Sequence, residues 1–241
     1  MNSRFGKWTL VSVMAGIMYG TVGTVTAHAE ALQWAVRAER AEYRLGANTD
    51  VLAWQGDAYV GYDELKLRYI GEGEYALADK ALERFENQIV LQTPISRFFD
   101  AKAGIRYDRP KGSDRLYGTI GVQGLAPQWF AVDVDLFVSE NGDASVRFDG
   151  DYEALITNRI ILTPSLEFEL PFTDDQAIGV GAWGPRLETG LRLSYDLIDR
   201  AVSPYIGIHY ERKFGKSADL ARAGGGTADA VFGVIGVRLK F

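Results

Sequence analysis

Cysteine is absent from the sequence, and methionine and histidine are scarce: three and two residues among 241. The lack of cysteine excludes a disulfide framework and a thiolate metal site. All three methionines and one histidine lie within the first 29 residues, so residues 30–241 hold no thioether and one imidazole, that of His209. A metal site in this part of the chain must therefore rely mainly on carboxylates.

Long hydrophobic runs are also missing after residue 29, which excludes a transmembrane helix there. Residues 1–29 differ from the rest: Arg4 and Lys7 begin a segment that continues with the mostly apolar Trp8–Gly20 and ends in the small residues of Ala27-His28-Ala29. This layout predicts a secretory signal peptide over residues 1–29, followed by one exported domain over residues 30–241.

The charge is acidic once the signal peptide is removed. Loss of Arg4 and Lys7 leaves 24 basic residues against 32 acidic ones, a formal charge of −8. An acidic balance argues against a nucleic-acid partner. Enzyme motifs are lacking too, since Gly224-Gly225-Gly226 does not sit between a strand and a helix. A hydrolase would have to use His209 as its base, and we expect a protein that is not an enzyme.

Alternation of apolar and polar residues fills most of the chain, and the clearest case is Gln128–Tyr152. Phe130 to Val138 place apolar side chains on one face, and Asp133 and Asp135 lie on the other. This period predicts β-strands. We count about twelve, with ten or fourteen as alternatives; the first four are expected near Gln33–Leu45, Val51–Tyr62, Leu65–Gly73 and Leu82–Thr93.

Two all-β classes fit an exported alternating chain: a periplasmic β protein, and a transmembrane antiparallel up-and-down β-barrel of the outer membrane. The strands are long enough to cross a bilayer at a tilt. Aromatic residues near strand ends, such as Trp34 and Trp129, suit interfacial girdles, and the last strand ends on Phe241. Short turns alternate with longer loops, of which Lys216–Asp229 should be the most flexible. These features favour the barrel, with lipid outside and both termini in the periplasm.

In a barrel the polar faces line the lumen, and there the acids outnumber the bases. Glu167 and Glu188 are among the lumen acids, but the densest group belongs to the hairpin built around the turn Glu140–Asp143, where only Arg147 offsets the charge. Carboxylates with one imidazole can form a weak divalent-cation site and favour cation entry. The candidate metal ligands are Asp133, Asp135, Glu140, Asp143, Asp149, Asp151, His209 and Glu211. The alternative is structural: the same charges pair with arginine and lysine and brace the wall.

Several sequence blocks carry a family resemblance. "AGIRYD", "GVQGLAPQWF", "LFVSENGDAS" and "LITNRIILTP" resemble the copper resistance protein B family of the Gram-negative outer membrane, and the likeness extends over Trp34–Phe241. The resemblance implies an outer-membrane barrel that acts in copper tolerance by binding copper or letting it cross the membrane. It also implies a periplasmic multicopper oxidase as a possible partner of the same system.

One departure from the family pattern bears on the copper chemistry. Many members carry an N-terminal region rich in Met and His, whereas residues 30–241 have no methionine. Soft Cu(I) prefers sulfur ligands, so we expect Cu(II) held weakly by carboxylates and His209, as a cargo rather than a catalytic cofactor. Another cation, a porin-like or purely structural barrel, and an outer-membrane hydrolase are the alternatives.

Overall fold

Long antiparallel strands close into a barrel in a computed structural model that describes residues 31–109, 112–198 and 200–241. The predicted signal peptide, residues 1–29, lies outside the described residues. The strands are β1 (Gln33–Gly46), β2 (Val51–Gly61), β3 (Lys66–Ala76), β4 (Ala81–Pro94), β5 (Phe99–Asp108), β6 (Arg115–Ala126), β7 (Phe130–Ser139), β8 (Ala144–Asp151), β9 (Ala154–Leu155), β10 (Ile160–Pro171), β11 (Arg186–Tyr195), β12 (Val202–Lys213) and β13 (Asp229–Lys240). Each strand pairs with the next along the chain, except that β8 pairs with β10 instead of β9, and β1 pairs with β13, which closes the sheet.

The wall has twelve strands, as predicted, because β8 and β9 both pair with β10 and form one interrupted strand. The interruption lies opposite Pro164. Tyr152 donates its backbone N–H to the Pro164 carbonyl at 3.2 Å, but proline has no N–H to return. The ladder therefore stops at Asp151 and resumes at Ala154.

The two faces of the wall are reversed relative to a soluble β protein. On β7, Val134 and Leu136 are 40% and 38% exposed on the outside, whereas Asp135 between them is 4% exposed inside. The same alternation holds around the barrel, where the exposed large side chains are apolar and the buried ones include many acids and arginines. Apolar residues toward lipid and polar residues toward the lumen are typical of an outer-membrane barrel.

The connections differ between the two ends of the barrel. One end carries only short turns, together with the start of β1 and the end of β13, and there Phe241 and Val36 exchange backbone hydrogen bonds of 2.9 and 3.1 Å. The other end carries the two long loops, residues 172–185 and 214–228. We assign the first end to the periplasm and the second to the cell exterior, as in other barrels of this kind.

Two expectations about the chain between strands are corrected. Strand β3 continues past the predicted end at Gly73 to Ala76, and the Trp54 ring of β2 packs over Gly73 in the space that a side chain would occupy. The loop expected to be the most flexible contains a helix, α1 (Gly215–Ala223). Ser217 in α1 is buried, and its hydroxyl donates to the Gly184 carbonyl at 2.7 Å, which ties this loop to residues 172–185.

Two single-turn 3-10 helices, Pro127–Trp129 and Gln176–Ile178, complete the helical content of the described residues. Nowhere in the described ranges is there a helix of the length and apolarity that a bilayer crossing requires.

Candidate functional site

Five carboxylates stand side by side on neighbouring strands of the lumen wall. The strand register pairs each with the next across β7, β8, β10, β11 and β12. We name this set the acid row; its members are Asp133, Asp149, Glu167, Glu188 and Glu211. Like charges directly opposite each other in a sheet are destabilising. The row therefore needs cations from elsewhere in the barrel.

The cations that balance the acid row come from strands elsewhere in the barrel and from a neighbouring row of lumen residues. Lys102 of β5 places its Nζ 2.6 Å from Asp133 and 2.8 Å from Asp135. Arg84 of β4 reaches Glu167 at 3.2 Å and Glu188 at 3.4 Å. In the part of the chain that the structure describes, Asp149 has neither an ion pair nor a side-chain hydrogen bond, although it lies between Asp133 and Glu167.

One step toward the exterior, the same strands carry charges whose sign alternates from β7 to β11, and β12 adds a second cation. We name this set the alternating row; its members are Asp135, Arg147, Glu169, Arg186 and Lys213. Arg147 donates to its register neighbour Glu169 at 3.2 Å and reaches Glu86 across the lumen at 2.8 and 3.0 Å. The prediction that lumen charges pair with one another is confirmed for most of the acids in these two rows.

The predicted ligands of the β7–β8 hairpin occupy three levels. Asp133, Asp135 and Asp149 face the lumen, whereas Glu140 and Asp143 lie in the exterior turn. There Glu140 accepts the Leu116 N–H at 2.7 Å, and Asp143 shares hydrogen bonds with Ser139. Asp151 is exposed near the periplasmic end of β8. The hairpin thus supplies acids along the path, and within the described residues we find no group of three or more His, Asp or Glu placed to hold one metal ion.

His209 lies on β12, deep in the wall, with 2% of its surface exposed. Its Nε2 is 3.3 Å from the Glu188 carboxylate, and its ring packs near Phe232. His209 therefore touches the acid row through Glu188, while Glu211, its predicted companion, belongs to that row and lies 3.8 Å from Arg186. Glu167 and Glu188 are functional candidates that the sequence placed in the lumen but not among the ligands, since only the strand register brings them into line.

A cavity of about 1190 Å³ occupies the exterior half of the lumen. We name it the vestibule. Its rim includes α1 and the glycines that follow it, and its walls include Glu74, Glu169, Arg186 and Glu211. Arg84, Glu86, Arg106 and Arg147 also line it. The mixed charge of its lining suits hydrated ions or small charged solutes.

The rim of the vestibule is fixed by ion pairs between its loops. Arg115 binds Asp175 of the loop 172–185 through two nitrogens, at 2.7 and 2.9 Å. Lys216 of α1 contacts Asp174, and this ammonium group, together with the Ala182 N–H, lowers the pKa of the Asp174 carboxyl. These contacts hold α1 beside the mouth.

Comparison with known proteins supplies the biological context of this barrel. The model of the family described as "Copper resistance protein B precursor (CopB)" matches residues 32–241. The chain belongs to the copper resistance protein B family. It is 32% identical over 223 residues to copper resistance protein B of Escherichia coli, covering 92% of this chain and 74% of that protein. It is 30% identical over 204 residues to a copper resistance protein B homolog of Pseudomonas syringae pv. tomato, covering 85% and 68%.

Among solved structures, the NanC porin is similar with a TM-score of 0.54 at 13% identity, covering 87% of this chain and all of the porin chain. At that identity the likeness supports the barrel fold alone. Family membership and the apolar outer face locate the copper resistance barrel in the outer membrane, which confirms the predicted location.

Proposed function

We propose that this protein is a non-enzymatic barrel that draws Cu(II) into its acid-lined lumen and supports copper resistance by binding the ion or passing it across the outer membrane. The observation that carries the proposal is the acid row, five carboxylates in register on neighbouring strands. Rings of acids attract cations and focus the field along a pore. The absence of sulfur ligands after residue 29 favours Cu(II) over Cu(I).

Within the acid row, Asp149 is the member best placed to meet an incoming ion. Its neighbours Asp133 and Glu167 are held by Lys102 and Arg84, whereas Asp149 is bound by no other side chain of the described ranges. His209, in contact with Glu188, adds the imidazole that Cu(II) favours. We extend the proposed path to Glu140 and Asp143 at the outer turn, Asp135 and Asp151 along β7 and β8, and Glu211 on β12.

The proposal also covers the export of the protein and the partners it contacts. We infer that residues 1–29 direct export and are removed, and that lipid covers the apolar outer face. A periplasmic multicopper oxidase of the same resistance system is the partner we propose, since it would handle copper on the side where the strand termini lie.

A hydrolase would need a hydroxyl nucleophile hydrogen-bonded to its imidazole base. Neither nitrogen of His209 has such a hydroxyl bond within the described residues. This arrangement supports a role for His209 as a partner of Glu188 and a candidate ligand rather than as a catalytic base.

The test of copper handling is Asp149→Asn in the purified barrel. We expect bound Cu(II) to fall severalfold after equilibration, because the substitution removes the unpaired charge at the centre of the acid row. Asp219→Asn is the matched control, since Asp219 lies exposed on α1 and the charge change is the same. Metal content is measured for Cu(II), Zn(II) and Ni(II) in parallel. Equal Cu(II) binding by both variants and the unaltered protein would rule out the acid row as the binding path.

A second candidate function is a structural or porin-like barrel without metal handling. The observation that favours it is Lys102, which neutralises Asp133 and Asp135 together in a nearly buried position. In that case the acids serve only to brace the wall. Copper tolerance of cells that carry the Asp149→Asn protein, compared with cells that carry Asp219→Asn, separates the two candidates.

A further inference from the structure

Arg84 lies at a point where four carboxylates from four strands converge. Its Nη1 is 2.8 Å from Glu72 and 3.4 Å from Glu188, and its Nη2 is 3.2 Å from Glu167 and 3.5 Å from Glu86. These acids come from β3, β11, β10 and β4. In the twelve-strand order β11 stands opposite β4, so the contact between Arg84 and Glu188 joins opposite walls of the lumen.

Two further arginines reinforce this level of the barrel. Arg147 of β8 and Arg106 of β5 both bind Glu86, at 2.8 Å each. We name Arg84, Arg106, Arg147 and Glu86 the arginine layer. Its members are largely shielded from solvent, because the side-chain exposure of Arg84, the most accessible of them, is 12%.

The vestibule ends at the arginine layer. Glu74, Glu169 and Arg186 line the cavity, but the residues one step further inward on the same strands, Glu72, Glu167 and Glu188, do not. Those three acids are the ones that hold Arg84 from the periplasmic side. Of the acid row, Glu211 alone reaches the cavity. The boundary of the cavity therefore passes through the Arg84 guanidinium.

The charges at this boundary explain why Arg84 stays in place. Withdrawal of the guanidinium would leave Glu72 in a narrow space without an ion pair to any described residue, which is costly. Of their arginine contacts in the described chain, Glu167 and Glu188 would keep one each, with Arg147 and Arg186 respectively. A second cation at the same carboxylates removes that cost. A cation arriving from the vestibule thus competes with Arg84 for the same oxygens.

We propose that Arg84 is a tethered cation that closes the lumen at the base of the vestibule, and that a cation moves inward only by displacing it from Glu72, Glu167 and Glu188. This inference rests on the proposed function in that it describes how an ion passes from the vestibule to Glu167 and Glu188 of the acid row. It applies to any small cation, so it can be tested without copper.

The experiment is a conductance measurement in planar bilayers with KCl, on the full barrel and on Arg84→Ala. We name the Arg84 side chain at this position the plug. We expect the conductance to rise roughly threefold or more, and permeation to shift toward K⁺ over Cl⁻, because removing the plug frees the carboxylates that favour cations. Arg222→Ala, on the exposed face of α1, is the matched control and should leave both quantities unchanged. Unchanged conductance and ion selectivity in folded Arg84→Ala barrels would overturn the proposal.

Two more variants separate charge from size and from misfolding. Arg84→Lys keeps the tethered cation and should conduct like the unaltered protein; a conductance equal to that of Arg84→Ala would overturn the role of the charge. If Arg84→Ala does not form the heat-modifiable band of a folded barrel, the double variant Arg84→Gln with Glu72→Gln removes one charge of each sign. The double variant should also conduct more, and unaltered conductance in it would count against the plug.

The conductance assay and the copper assay test the two proposals separately. Raised KCl conductance with no Cu(II) binding in any variant would refute the copper proposal and leave the plug standing. Cu(II) binding that depends on Asp149, with no change of conductance on loss of Arg84, would refute the plug alone.

Discussion

The acid row and the alternating row lie on the same five strands, one step apart, yet they balance their charge in different ways. The alternating row places opposite charges on adjacent strands from β7 to β11, as where Arg147 binds Glu169 at 3.2 Å. The members of the acid row have only acids beside them in the row. They take their cations from Lys102 and Arg84 on distant strands and from the two arginines of the alternating row. Within the described residues, Asp149 has none. The first arrangement braces the wall, whereas the second leaves residual negative charge where an ion can reach it.

The largest expected effect is in the alternating row. Arg147→Ala removes the group that binds Glu86 and Glu169, and it leaves the Glu86 carboxylate nearly buried with less compensation. We expect a loss of about 3–5 kcal/mol in the free energy of unfolding, the usual effect of breaking a buried ion pair from one side. Urea unfolding of the barrel in lipid vesicles, followed by tryptophan fluorescence, measures it.

The control for Arg147→Ala is Arg222→Ala, because the Arg222 side chain is 62% exposed on α1. Exposed ion pairs contribute little, so this control should change the stability by less than about 1 kcal/mol. Similar losses in both variants would mean that the alternating row does not brace the wall.

A smaller loss of unfolding free energy is expected from Lys102→Met, which removes a cation that β5 contributes to the acid row. The substitution keeps the length of the side chain but leaves Asp133 and Asp135 without their shared partner. Since Asp133 is partly exposed, water can take over some of the lost contact. We expect a loss of about 2–3 kcal/mol, in the range of hydrogen bonds to charged groups.

The same urea titration measures the effect of Lys102→Met, and Lys102→Arg serves as its control. Arginine retains the positive charge and should keep more of the stability than methionine does. If the two variants lose equal stability, the two aspartates do not depend on a cation, and the contrast between the two rows is wrong.

Whether a feature of the fold or of the site could be predicted depends on how far apart along the chain the residues that specify it lie. Alternation along each strand predicts the barrel, its strand number and the lumen position of Asp133, Glu167 and Glu188, because period two is local. The acid row needs the register of four successive strand pairs, and a slip of one residue in any of them would turn its acids toward lipid. The contact between Arg84 and Glu188 joins residues 104 apart in the chain, and no local pattern specifies it.

The errors at the end of β3 and in the loop that contains α1 also have local physical causes. Glycine is a poor strand former on average, so the glycines and glutamates around Gly73 indicated the start of a loop. In the structure the Trp54 ring packs over Gly73 and supplies the contact that glycine itself cannot make. The composition of α1, with its following glycines, indicated flexibility because the sequence does not show that Ser217 is buried against Gly184.

The smallest expected effect has the opposite sign, and it concerns the member of the acid row without a partner. Asp149→Asn removes a charge that faces Asp133 and Glu167 on the adjacent strands, while no cation of the described chain is lost from contact. Relief of like-charge repulsion across a sheet is worth about 0.2–1 kcal/mol, so we expect the free energy of unfolding to rise by that amount. The urea titration used above measures it, with Asp219→Asn as the control of equal charge change. A barrel that becomes more stable while binding less Cu(II) would show that Asp149 is retained at a cost to stability for the sake of function. A loss of stability in Asp149→Asn would instead show that its carboxylate braces the wall like those of the alternating row, and the difference between the two rows would disappear.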